Sequence, residues 1–206
     1  AGANNALGGV GVHWGARVVP VRVAGKCGAV LSDLLDGVRW ASGLPVAGVP
    51  VNPNPAKIIN LSYGGDGPCN AAYQAAIDDA TAAGALVVAA AGNAGAPVTR
   101  PADCRGVLAV TAVRGDGAKA SYGSYGPAVG LAAPGGSGSG GADDGIYTTL
   151  NTGRRSPTTS SYGPMVGTSF SAPLAAGVAA LVLSIQPALS GAAVSSLLVG
   201  HVRPHT

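Results

Sequence analysis

Apolar residues fall into short runs and spaced stripes, separated by stretches rich in Gly and Pro, and the runs read as strands alternating with helices. Residues 17–23 (Arg-Val-Val-Pro-Val-Arg-Val) predict a strand. Leu31, Leu34, Leu35, Val38 and Ala41 are spaced along one face of a helix over residues 31–41. Pro45, Pro50, Pro53 and Pro55 make residues 45–55 a loop of the kind that tolerates insertion. Residues 57–62 predict a short buried strand, and 70–83 an Ala-rich helix that Gly84 is placed to end. Residues 86–91 and 106–113 predict two more buried strands, and 128–132 a weaker one before Pro134-Gly135-Gly136. A helix over 167–185 is broken at Pro187, and a last helix follows over 189–199. This alternation predicts an α/β fold, a parallel sheet flanked by helices, with ligands beyond the carboxyl ends of the strands.

A chain of 206 residues is long enough for one core, so residues 1–206 are expected to form one domain. The 34 glycines and 15 prolines form no repeat, which excludes collagen-like and low-complexity readings. Every acidic residue is Asp, so neither a Glu general base nor a Glu metal ligand exists. The formal charge is +3 with scattered cations, which gives no nucleic-acid footprint. Arg154-Arg155 reads as a solvated loop or a self-cleavage point. The apolar run 174–185 is too short to span a bilayer, so no membrane partner is expected.

Three cysteines, Cys27, Cys69 and Cys104, contain no C-x-x-C pair, which argues against zinc. Cys27 and Cys69 each follow a predicted strand. Adjacent parallel strands would bring those loops to one rim, so a Cys27–Cys69 disulfide is the favoured pairing. Cys104 is then a small buried apolar residue, or has its partner outside this chain. A disulfide suits a secreted protein.

Ser169 stands at the start of the 167–185 helix, where free N–H groups and the macrodipole favour developing negative charge. Its plainer reading is a helix N-cap. Gly92-Asn93-Ala94-Gly95 is by itself a turn. The Gly/Ser run at 135–141 lacks the Gly-Lys-Ser/Thr of a phosphate cradle and reads as a flexible surface loop. Asp143-Asp144 reads as a solvated pair rather than a calcium site.

Three segments change that picture when taken in order. Gly167-Thr168-Ser169 with Ser171-Ala172-Pro173 and Gly177 resembles the nucleophile segment of the subtilisin-like serine proteases. Residues 58–65 (Ile-Ile-Asn-Leu-Ser-Tyr-Gly-Gly) resemble the family's substrate-binding strand, and residues 87–95 (Val-Val-Ala-Ala-Ala-Gly-Asn-Ala-Gly) its oxyanion-hole turn. The resemblance implies that Ser169 is the nucleophile and that Asn93 and the Ser169 N–H hold the oxyanion. It implies that Ser62, Tyr63 and Gly64 pair with an extended peptide or protein substrate, and that Ala90, Ala91 and Gly92 line the primary specificity pocket. The family's order is Asp, His, Ser. Of the three histidines, His13, His201 and His205, none lies in a segment like the family's His motif. Ala1-Gly2-Ala3 resembles the end of that motif. The expectation is therefore a C-terminal part of a catalytic domain, whose acid and base lie upstream in a missing N-terminal part of the same domain.

Phe170 replaces a common Met and Leu174 a common His that is not catalytic. No cofactor is expected for the chemistry and no metal ligand is identified. The resemblance leaves room for structural calcium, for which no carboxylate cluster gives a location. Secretion is expected. The rival reading is a non-catalytic peptide-binding module of the same fold. Another hydrolase type, with a Gly-x-Ser-x-Gly elbow, is excluded: position 171 is Ser, and no Asp or Glu follows Ser169.

Overall fold

The computed structural model describes residues 2–6, 8–139 and 144–203. The elements run α1 (Leu31–Ala41), β1 (Ile58–Leu61), α2 (Ala71–Ala82), β2 (Leu86–Ala90), β3 (Val107–Val113), β4 (Val129–Pro134), β5 (Ile146–Asn151), β6 (Ser160–Met165), α3 (Thr168–Ile185) and α4 (Gly191–Gly200). Strands β1 to β4 form one sheet in sequence order, and every pair in it is parallel. β5 and β6 form a separate antiparallel hairpin.

β2 explains the layering. All five of its residues are buried, as expected of a parallel strand covered on both faces. Val87 belongs to the core under α1 and α2, with Leu34, Val38, Tyr73 and Ile77. Leu86, Val88 and Ala90 belong to the core under α3 and α4, with Leu108, Val110, Ala172, Ala175 and Val194. The period of two along the strand thus divides its side chains between two helical layers.

α2 begins at Asn70, whose Oδ1 accepts the Tyr73 N–H at 3.0 Å. It ends at Gly84, whose φ of +91° most side chains would resist. α3 packs against all four strands of the sheet. With Thr168 at its start it reaches 18 residues, long and apolar enough by composition to cross a membrane. That corrects the length read from residues 174–185. Its sheet contacts are those of a core helix, yet Val178, Leu181 and Ile185 lie exposed on a stripe spaced three and four residues apart.

Three expectations fail here. Residues 17–23 form no regular element and turn Val19, Val21 and Val23 inward, and no described strand pairs with them. Their alternation specifies an inward face, which Val21 and Val23 satisfy by packing on the α1–α2 core. A strand also needs a ladder partner. Second, the β5–β6 hairpin occupies residues for which no strand was predicted. It is mostly exposed, and Gly163 and Pro164 break its apolar pattern. An exposed edge tolerates such a Pro. Third, the disulfide joins Cys69 to Cys104 with Cα atoms 5.2 Å apart, while Cys27 is a free exposed thiol. Residues 17–23 are outside the sheet, so Cys27 does not reach that rim. The turn carrying Cys104 does, because the Cys69 N–H donates to Asp103 Oδ2 at 2.8 Å and the Arg100 N–H to Gly67 O at 3.1 Å.

The glycine run also differs from the expected surface loop. Gly135 and Gly136 are buried, and a methyl group at Gly135 would stand 2.6 Å from Ala112 Cβ and from Ser171 Oγ. Residues 140–143, including Asp143 of the aspartate pair, lie outside the described residues. Arg154 and Arg155 are exposed in the hairpin loop.

Candidate active site

The carboxyl ends of β1 and β2 and the N-terminus of α3 meet at one place. Gly167 is the N-cap of α3, with φ +143° and no side chain to offer. Ser169 is therefore the second residue of the helix and is not its cap. Its hydroxyl donates to Ser62 O at 3.3 Å.

Asn93 follows β2 at the turn opened by Gly92, whose φ is +107°. Its Oδ1 accepts two hydrogen bonds of 2.9 Å from Thr168, one from the backbone N–H and one from the hydroxyl. Two donors on one oxygen settle which end of the carboxamide is which, so Nδ2 is the free end. Thr168 is fully buried, and its Oγ1 also accepts the Gly92 N–H at 3.2 Å. One threonine hydroxyl thus ties the asparagine turn to the helix. A methyl group at Gly167 would lie 3.4 Å from Asn93 Nδ2 and 3.8 Å from the Ser169 nitrogen. The bare glycine leaves open the space that both donors border. A small anion or a polarised carbonyl oxygen fits such a cradle.

Pro173 explains the link to β1. In an α-helix the N–H of residue 173 would bond the carbonyl of residue 169, but Pro has no N–H. Ser62 Oγ supplies the missing donor, at 2.9 Å from Ser169 O. Asn60 Nδ2 in turn donates to Ser62 Oγ at 3.0 Å. The serine peptide at the helix start is therefore bonded to the strand end in both directions.

Tyr122 braces the other side. Its hydroxyl lies 2.6 Å from Gly135 O and 2.9 Å from Gly136 O, and it accepts the Gly167 N–H at 3.1 Å. Burial holds this phenol above its ordinary pKa, against the lowering effect of the Gly167 N–H and with a smaller push from Asp144. The hydroxyl therefore stays protonated and donating through the neutral range.

The expected substrate-binding residues are only partly together. Tyr63 is exposed, and beside Gly64 the close backbone is the chain's own: a methyl group there would meet Arg100 O at 3.2 Å. Ala90 and Ala91 are almost fully buried, and the Ala91 N–H still bonds Val110 O of β3 at 2.9 Å. Of Ala90, Ala91 and Gly92, only Gly92 approaches the surface. A pocket lies beside Tyr63, along Gly65 and Arg100. Neither His13 nor His201 is bonded to Ser169; His201 Nδ1 lies 2.8 Å from Leu197 O in its own helix. His205 lies outside the described residues. Cys69, Asp103 and Cys104 cluster like metal ligands, but both sulfurs are committed to the disulfide.

Sequence reasoning did not find Thr168, Asn60 or Tyr122 as parts of the site. Thr168 and Pro173 both lie inside the nucleophile motif. Nothing local marks Tyr122, which acts across 45 residues.

A parallel sheet that sets a helix-start serine against an asparagine carboxamide is the arrangement expected of a subtilase. The chain belongs to that family, matching the Subtilase family over residues 1–203. It is 47% identical over 203 residues to an extracellular protease of Xanthomonas campestris pv. campestris, covering 97% of this chain and 34% of that protein. It is 44% identical over 202 residues to an extracellular basic protease of Dichelobacter nodosus, covering 95% of this chain and 32% of that one. The chain thus spans about a third of these curated relatives. A solved protease structure from Pseudoalteromonas arctica superposes with a TM-score of 0.92 at 44% identity, over 96% of this chain and 59% of the other.

Proposed function

We propose that this chain supplies the nucleophile and oxyanion cradle of a secreted serine endopeptidase. The observation that supports this most directly is the carboxamide of Asn93, held through Oδ1 so that Nδ2 and the Ser169 N–H border one open space. Ser169 Oγ attacks the carbonyl carbon of an extended peptide, and the new oxyanion takes both donors. The serine proton passes to a base. The C–N bond then breaks, the amine leaves with that proton, and water hydrolyses the ester on Ser169. The base and its carboxylate partner come from chain outside these residues, upstream by the family's order. All the groups invoked are side chains or backbone, so the reading needs no cofactor. The peptide lies along Ser62, Tyr63 and Gly64, where β1 ends at the edge of the described sheet. The names of the two relatives above support secretion, which also suits the disulfide.

One observation favours a rival, a peptide-binding module that never hydrolyses: no described imidazole is bonded to Ser169. Treating the protein from its native source with a fluorophosphonate probe and weighing the labelled species separates the two. Labelling of Ser169 in a species longer than 206 residues supports the protease. An unlabelled species of this length supports the module.

A further inference from the structure

Beside the expected substrate edge is a pocket of about 180 Å³. Its walls include Leu31 and Leu34 of α1, Tyr73 of α2, and Tyr63 and Gly65 of the segment after β1. Leu34 and Tyr73 are almost fully buried, so that part of the wall is apolar and firm. Ala29, Val30 and Arg100 complete the lining, and Arg100 is its one charged residue. Its guanidinium carbon lies 5.9 Å from the centre of the Tyr73 ring. Among the described residues it has no ion-pair partner and no side-chain hydrogen bond. Asp66 and Asp103 stand on the two turns it bridges, yet neither pairs with it, and Asp103 Oδ2 accepts the Cys69 N–H instead.

A partly exposed guanidinium that stacks on a tyrosine ring and has no ion pair is available to an anion that enters the pocket. Arg100 is also well placed to discriminate. Its carbonyl accepts the Gly65 N–H at 3.0 Å, its N–H donates to Gly67 O at 3.1 Å, and the Cys69–Cys104 disulfide joins the same two turns. The platform is therefore pinned at several points, and only the side chain is free to adapt. An extended peptide advances about 3.3 Å per residue and sends every second side chain to the same face. Ser62 touches the Ser169 segment, and Tyr63 to Gly65 lead away from it towards the pocket. A side chain two to four residues from the carbonyl above Ser169 would reach Arg100.

We propose that Arg100 makes this pocket select an acidic side chain of the substrate, a Glu above all. The aliphatic stem would lie against Leu31, Leu34 and Tyr73, and the carboxylate would take a charge-assisted hydrogen bond from the guanidinium. This rests on the reading of Ser62 to Gly64 as a peptide-binding edge.

The test uses the full protein carrying this chain, with Ser169→Ala to prevent turnover. N-acetylated peptides place Glu, Gln or Leu two, three or four residues from the scissile bond, and their Kd values are measured. At one position Glu binds about tenfold more tightly than the isosteric Gln, and the advantage shrinks as salt is raised. Arg100→Gln brings the Glu/Gln ratio to about one, and Arg100→Lys, which keeps the charge, retains part of it. Equal Kd values for Glu and Gln at every position overturn the inference and leave the protease reading intact. So does a ratio that persists in a folded Arg100→Gln protein. If no peptide binds and unsubstituted Ser169 takes no fluorophosphonate, the protease reading falls and the inference with it.

Discussion

Thr168→Val separates a structural threonine from one that acts through Asn93. Valine has nearly the volume of threonine, so the fully buried site remains filled. Two hydrogen bonds are lost, the one of 2.9 Å to Asn93 Oδ1 and the one of 3.2 Å from the Gly92 N–H. The part-buried Gly92 N–H is left without its acceptor, at a cost of about 1–3 kcal/mol. At about 2–4 °C per kcal/mol for a domain of this size, the expected fall in Tm is about 6 °C. Asn93 Oδ1 keeps only the Thr168 N–H. In a subtilisin, loss of such an asparagine costs about 100- to 1000-fold in kcat, a magnitude carried over from that enzyme by similarity. Loosening the side chain, rather than deleting it, should cost about tenfold in kcat. KM should change little, because the oxyanion exists only after attack. The assay is steady-state hydrolysis of a peptide by the full protein for Thr168→Val, Asn93→Ala and the double variant. If Thr168 acts through Asn93, the double variant is no slower than Asn93→Ala alone. Losses that multiply would refute the reasoning, since Thr168 would then contribute to kcat by another route.

Other outcomes follow from the same geometry. Ser62→Ala removes the hydroxyl that stands in for the N–H missing at Pro173; it should lower stability by about 1 kcal/mol and reduce kcat, and Ser62→Thr should restore both, as read by melts and kinetics. The Cys69–Cys104 bridge spans 35 residues, for which loop-closure entropy gives about 4 kcal/mol, so a reductant should lower Tm by about 10 °C in a Cys27→Ser background; a melt indifferent to reductant would contradict the pairing. The Tyr122 phenol is held above its ordinary value by burial, so the unfolded chain loses that proton first. Its contribution is then present below pH ~10 and is lost as the pH rises from there through the raised folded value. Denaturant titrations should show an alkaline loss of stability that is shallower in Tyr122→Phe, and equal slopes would exclude this assignment.

What the sequence made legible was what short-range periodicity and local backbone chemistry control. The α1 stripe, the buried β2 run and the Asn70 and Gly84 ends each depend on a few neighbouring residues, and each stands where its pattern put it. Where a feature needs a distant partner, local pattern was silent or misleading. Val19, Val21 and Val23 alternate like a strand but find no ladder, and the hairpin forms from residues whose Gly and Pro suggest a loop. Cys27 resembles Cys69 in following an apolar run, yet the turn that meets Cys69 carries Cys104. The site follows the same division. Ser169 and Asn93 were legible as motifs, whereas the groups that orient them, Thr168 Oγ1, Tyr122 and Asn60, bond across 75, 45 and, through Ser62, 107 residues. Pro173 marks the border between the two kinds of information. A proline at the sixth residue of a helix implies that the carbonyl four residues earlier has lost its donor, and that carbonyl belongs to Ser169. The need for an outside donor is thus written in the local sequence. That Ser62 meets the need follows only from the parallel sheet, which delivers the end of β1 to the start of α3 and so binds the expected nucleophile to the expected substrate edge.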